Sequence, residues 1–84
     1  MALYSQPKFT EDALQVIRHY RETQSIGREQ LAQQISEITG FQLSFFEYRS
    51  MENGQTKNVP FHVILGAAIV LQIPAHEIVP QLDA

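Results

Sequence analysis

From Val59 to Ala75 the chain runs for seventeen residues without an Asp, Glu, Lys or Arg, and Pro60 and Pro74 stand near its two ends. A bilayer-spanning helix needs about 18 to 20 apolar residues, and this segment is shorter, carries His62 and Gln72, and holds both prolines. It therefore reads as a buried helix. Pro60 suits the first helical position, where its missing N–H would have no partner. The helix is predicted to reach Leu71 or Gln72 and to break at Ile73-Pro74, with one or two further turns from Ala75 to Val79 before Pro80. The chain has 84 residues, enough for one small domain. In so small a domain an apolar helix cannot be covered on all sides, so a patch around Val63, Gly66, Ile69 and Val70 is expected to stay open and to pair two copies in a homodimer. The alternative cover is intramolecular, by Leu3-Tyr4 and by Ile78, Val79 and Leu82.

The remaining segments must wrap this helix, and their periodicity is helical too. Residues 1–9 hold Pro7 and lack a period, which predicts an N-terminal arm. Thr10 offers an N-cap oxygen, Glu11 and Asp12 follow in the first turn, and Phe9 with Leu14 can form a hydrophobic staple, so a first helix is expected from there to about Gln24. Leu14, Ile17 and Tyr20 give it an apolar stripe. A second helix follows from Arg28 to about Thr39, with Leu31, Ala32, Ile35 and Ile38 at helical spacing, Gly27 as its cap and Gly40 at its left-handed end. Ser44-Phe45-Phe46-Glu47 has the form of a capping box, flanked by a Leu43–Tyr48 staple. It predicts a third helix from Phe45 to about Glu52, ended by Asn53-Gly54. These elements make an all-α domain over residues 10–79, with a tail at 80–84.

Six Lys and Arg against nine Asp and Glu leave a formal charge of -3, the wrong sign for binding nucleic acid by bulk electrostatics. Any such binding has to come from a local arrangement. With no cysteine, disulfides and thiolate metal centres are excluded, and the lack of a cationic, apolar leader adds to the expectation of a cytoplasmic protein. No nucleophile, base and orienting acid converge in a motif, and no glycine-rich phosphate loop occurs, so no enzyme activity and no cofactor are expected. His19, His62 and His76 are too scattered for a metal motif.

One set of residues carries a resemblance. Leu14, Ile17-Arg18 and Arg21, then Ile26-Gly27-Arg28-Glu29-Gln30-Leu31-Ala32, Met51-Glu52-Asn53-Gly54, Pro60, and Ile64-Leu65, Ala67-Ala68, Val70-Leu71 and Ile73 together resemble the lambda-repressor-like, Xre-type helix-turn-helix domain, over about Asp12 to Ile78. The resemblance implies a compact four- to five-helix DNA-binding domain whose third helix enters the major groove of double-stranded DNA. By position, Arg28 would touch a phosphate at the start of the second helix. Ser44, Phe45, Phe46, Glu47, Arg49 and Ser50 would fall on the reading side of the third, with Tyr48 and Met51 inward. Thr56, Lys57 and Asn58 would clamp the backbone again, and Arg21 and Glu52 would form a structural salt bridge.

Against that pattern the interval from Leu31 to Glu52 is 21 positions, where about fifteen is usual for the family. About six residues are thus extra, around Ser36 to Gln42, and extend the turn between helices 2 and 3. Base edges are generally read by Arg, Lys, Gln or Asn, whereas the third helix here leads with two phenylalanines and a glutamate. Glu47 has a cap to make. One phenylalanine could pack on the extra turn at Ile38 to Phe41, or either could meet a thymine methyl, a base step or another protein. Two functions are carried forward: a dimeric DNA-binding transcriptional regulator, nucleoid-associated, and a protein-interaction module, antitoxin-like or an adaptor, that keeps the fold without DNA.

Overall fold

The buried helix is the centre of the structure, a computed structural model that describes residues 7–56 and 59–78, with side chains from residue 11 onward. Among the described residues five α-helices follow in order: α1 Pro7–Thr23, α2 Arg28–Thr39, α3 Phe45–Glu52, α4 Phe61–Leu71 and α5 Ala75–Ile78. Among the described residues there is no strand, and no helix is long and apolar enough to cross a membrane. α4 packs against α2 and α1, α3 packs against α2 and α1, and α5 closes on α1.

One core joins all five. Ala13, Leu14 and Ile17 come from α1, Leu31, Ala32 and Ile35 from α2, Tyr48 and Met51 from α3, Val63, Ile64, Ala67 and Leu71 from α4, and Ile78 from α5. In the four longer helices these residues recur at three- and four-residue intervals, so each turns a single stripe inward.

The helix ends follow local chemistry. The capping box forms: the Ser44 Oγ accepts the Glu47 N–H at 3.1 Å, and the Ser44 N–H donates to the Glu47 carboxylate at 3.0 Å. Those bonds hold the Glu47 carboxyl below its ordinary range. Leu43 and Tyr48, the staple pair, are both buried. Gly40 ends α2 at φ 76°, where its N–H donates to the Ser36 carbonyl, and Gly54 turns the chain after α3 at φ 77°. Both angles are open to glycine at little cost.

Several boundaries differ from expectation. α1 begins at Pro7, not at Thr10, so Thr10 lies inside the helix and residues 7–9 belong to it. Proline is at home in a first helical turn, where no N–H is needed. The expected Phe9 staple involves a side chain outside those described. Pro60 is the N-cap of α4, one position earlier than expected. α4 ends on Gln72 at φ 57°, a left-handed cap without glycine. Its last carbonyl, on Leu71, accepts from the Gln24 side chain at 2.9 Å, which ties the end of α1 to the end of α4.

The extra residues between α2 and α3 are spent on a twelve-residue α2 and the link 40–44. Ser36 latches the link: its Oγ accepts the Leu43 N–H at 2.8 Å and lies 2.9 Å from the Ala32 carbonyl that it can donate to. Thr39 Oγ1 accepts the Phe41 N–H at 3.2 Å. Ile38, the last of the α2 stripe, is half exposed because α2 outruns the core there.

The open apolar patch lies elsewhere on α4 than expected. Val63 is buried within the chain, and Gly66 is buried against α2: a Cβ on Gly66 would stand 2.9 Å from Thr39 Cγ2 and 3.1 Å from Ile35 Cγ2. Val63 and Gly66 are therefore internal contacts, not interface residues, because α2 claims that side of α4. Val70 is half buried, and Ile69 is exposed. The most exposed apolar residues of α4 are Leu65 and Ile69, four apart, which with Phe61, Ala68, Ile73, Ala75 and Ile78 line an apolar groove of about 670 Å³. Ile78 does help to cover this side from within. Leu3, Tyr4, Val79 and Leu82 lie outside the described residues.

Candidate functional site

α3 is the element on which the expected site residues converge, and its position is set by what it buries. Tyr48 is wholly buried and Met51 nearly so, both on the side facing α2 and α1. Phe46, Glu47 and Arg49 are exposed, and Phe45 is half buried on the flank.

At the C-terminal end of α3, Glu52 is the anchor. Arg21 Nη2 donates to its Oε1 at 2.8 Å and Arg21 Nε to its Oε2 at 3.1 Å, a bidentate pair between side chains 9% and 1% exposed. Tyr48 Oη donates to Oε2 at 2.7 Å and Arg28 Nε to Oε1 at 3.1 Å. Arg21 Nη1 also donates to the Ile26 carbonyl at 3.0 Å, so one guanidinium holds α1, the turn before α2 and the end of α3. Burial works against both charges, yet the mutual bonds prevail. The Glu52 carboxyl is held below its usual range by Arg21, Tyr48 and Arg28, and the Arg21 guanidinium is raised by Glu52. Burial and the bond to Glu52 push the Tyr48 phenol far up.

This network changes the standing of Arg28, which the resemblance makes a phosphate contact. Its Nε is engaged by Glu52 and its side chain is 32% exposed. It stands at the first position of α2, beside the positive end of that helix, with one edge held inward.

The N-terminal half of α3 is organised differently. The Phe45 and Phe46 rings meet edge to face at 5.3 Å, and the Arg49 guanidinium sits 5.4 Å and 5.6 Å from their centroids. Spacings of three and four residues along a helix make such neighbours. Phe46 is 68% exposed. Phe41, from the link after α2, stacks on His62 of α4 at 4.4 Å. Of the four arginines, Arg18 pairs with Glu22, while Arg21 and Arg28 share Glu52. Among the described residues Arg49 is in no ion pair.

Ser50 is half buried and accepts from the Thr56 hydroxyl at 2.9 Å, which fastens the loop after α3 back onto that helix. Ser44 is committed to the cap. Lys57 and Asn58 lie outside the described residues. The aromatic stack under Arg49 is absent from the sequence reading, although the spacing of Phe45, Phe46 and Arg49 is the signal that could reveal it. The histidines stand apart: His19 meets the Tyr20 ring edge to face, His62 stacks on Phe41, and His76 is exposed on α5. Among the described residues no three His, Asp or Glu gather as metal ligands.

No family model matches the chain, and neither a curated protein nor a solved structure is found to be similar to it.

Proposed function

We propose that this chain is a small DNA-binding transcriptional regulator of the lambda-repressor-like, Xre-type helix-turn-helix class, which lays α3 in the major groove and acts as a homodimer. The observation that carries the reading is the division of α3: Tyr48, Met51 and Glu52 lock it to α1 and α2, while its outer side presents an arginine that no carboxylate among the described residues neutralises. A helix held by its inner side with a charged outer side is what a recognition helix requires. Arg28, at the start of α2, adds a second cation whose inner edge is already positioned by Glu52. Phosphate contacts from Arg28 and Lys57 in each of two subunits predict a salt slope on the order of -4 in log K against log salt.

The test is selection from a random duplex pool at two salt concentrations, with Arg28→Glu as the control once circular dichroism shows that this variant, which sets a second carboxylate beside Glu52, keeps the helical fold. An enriched pseudo-palindrome that is lost with the substitution and weakened by salt is the expected result. Binding that ignores salt would overturn the reading.

The dimer is assigned to the exposed pair Leu65 and Ile69 with the groove beside it. Exposed apolar surfaces of this kind on a small domain favour association. Ile69→Lys places a charge on a residue that is 61% exposed, so the fold is expected to survive. Sedimentation velocity should show the parent approaching twice the monomer mass as concentration rises and the variant remaining a monomer. Equal masses for the two at every concentration would refute this interface.

A second reading, a protein-docking module without DNA, is favoured by the exposure of Phe46. It predicts that Phe45→Ala and Phe46→Ala weaken a protein partner by about 1 kcal/mol or more each, while charge reversal at Arg49 leaves that partner bound.

A further inference from the structure

The Phe45–Phe46–Arg49 stack has a chemistry of its own. A guanidinium lying against an aromatic face uses its π surface there and leaves its N–H edge free, in the planar fork that matches two acceptors side by side. The Arg49 Cζ lies 5.4 Å from the Phe45 centroid and 5.6 Å from the Phe46 centroid, and among the described residues no carboxylate pairs with it. Two aromatic neighbours restrict where its fork can point before any ligand arrives. In the major groove the pair of acceptors that fits a fork is O6 and N7 of guanine. Phe46, whose ring centroid is 5.6 Å from that guanidinium, is 68% exposed. An apolar rim next to a guanine contact can gain only from an apolar group in the neighbouring base pair, and the C5 methyl of thymine is the one that the major groove offers.

We infer that α3 reads a guanine through Arg49 and a thymine in the adjacent base pair through Phe46, so that each half-site contains a thymine and a guanine at neighbouring positions. This rests on the proposed DNA-binding function and specifies what that site prefers. Glu47 makes no claim on a base here, since its carboxylate is bonded to the Ser44 N–H. The stack supplies the apolar and cationic halves of the contact from residues three positions apart, which is why the missing Gln and Asn of the third helix are no obstacle.

The experiment begins with the duplex enriched from a random pool by the full chain. Each thymine in that duplex is then replaced by deoxyuridine, which deletes the methyl and nothing else. One thymine per half-site, beside a guanine, is expected to lose binding by about three- to fivefold, the worth of one buried methyl. Arg49→Lys should weaken the parent site by about tenfold or more, because an ammonium cannot make the bidentate contact. Phe46→Ala should bind the thymine and deoxyuridine duplexes equally. Phe46 and Arg49 are both exposed, and helical circular dichroism of each variant confirms that the fold is intact. If an enriched site contains no neighbouring thymine and guanine, or if deoxyuridine binds as well as thymine throughout, the inference is overturned while DNA binding stands. If no duplex enriches above the Arg28→Glu background, the DNA-binding reading itself falls and takes the inference with it.

Discussion

Glu52→Ala should lower stability by about 3 to 5 kcal/mol, the cost of leaving a buried charge without its partner. Four donated hydrogen bonds converge on the Glu52 carboxylate, two of them from Arg21, and its side chain is 1% exposed. In a domain of this size that loss corresponds to a fall of about 12 °C or more in Tm, read by thermal unfolding. Because a small domain holds only about 5 to 15 kcal/mol in total, Glu52→Gln gives a milder version that keeps an acceptor for Tyr48. Replacing Arg21 and Glu52 together by methionine should restore much of what Glu52→Ala loses, since neither charge is then stranded. A double variant as unstable as the sum of the two singles would show that the pair is not coupled.

The same carboxylate sets a pH dependence. Its folded pKa lies below the unfolded value, and an unfolded glutamate titrates near about 4.3. The stabilisation is fully present above that unfolded value and is lost as pH falls through the folded one. Acid unfolding of the parent should therefore steepen below about pH 4.3, and Glu52→Gln should show a shallower slope there. Parallel acid curves for the two proteins would count against Glu52 as the group responsible.

What can be read from the sequence divides along the range of the interaction. The span of α3 and its capping box are legible because Ser44, Glu47 and Asn53-Gly54 act within a few residues of themselves. The same holds for Gly40 at the end of α2. The pairing of Arg21 with Glu52 follows from the resemblance, and the further engagement of Arg28 by the same carboxylate does not, since nothing local brings residues 24 positions apart together. The open side of α4 is the least legible part. Its residues are apolar all round, so no polar face marks which side turns outward, and only the packing of α2 decides that Val63 and Gly66 face in while Leu65 and Ile69 face out. On α3 the two phenylalanines need a partner that the sequence alone does not name, and that partner is Arg49 on the same helix.

The α2–α4 contact makes the second large prediction. Ile35→Ala should cost about 2 to 5 kcal/mol, because Ile35 is fully buried and neighbouring helices cannot wholly collapse into the space it leaves. Gly66→Ala alone should also destabilise, by about 1 to 3 kcal/mol of overpacking, less the roughly 1 kcal/mol that alanine gains over glycine in a helix. The added methyl meets Ile35 Cγ2 at 3.1 Å and Thr39 Cγ2 at 2.9 Å. Both are β-branched side chains with little freedom at χ1 in a helix, and the Thr39 hydroxyl is further fixed by its bond to the Ile35 carbonyl at 2.8 Å. The two substitutions should then be strongly non-additive. In an Ile35→Ala background the methyl added by Gly66→Ala enters the space that Ile35 Cγ2 vacated, and Thr39→Ser removes the other clash while keeping the hydroxyl bond. The triple variant should be more stable than Ile35→Ala alone, measured by urea denaturation at equal protein concentration. Strict additivity across the set would mean that α2 and α4 do not meet at Gly66, and the assignment of the open face to Leu65 and Ile69 would lose its basis, since it follows from α2 occupying the opposite side.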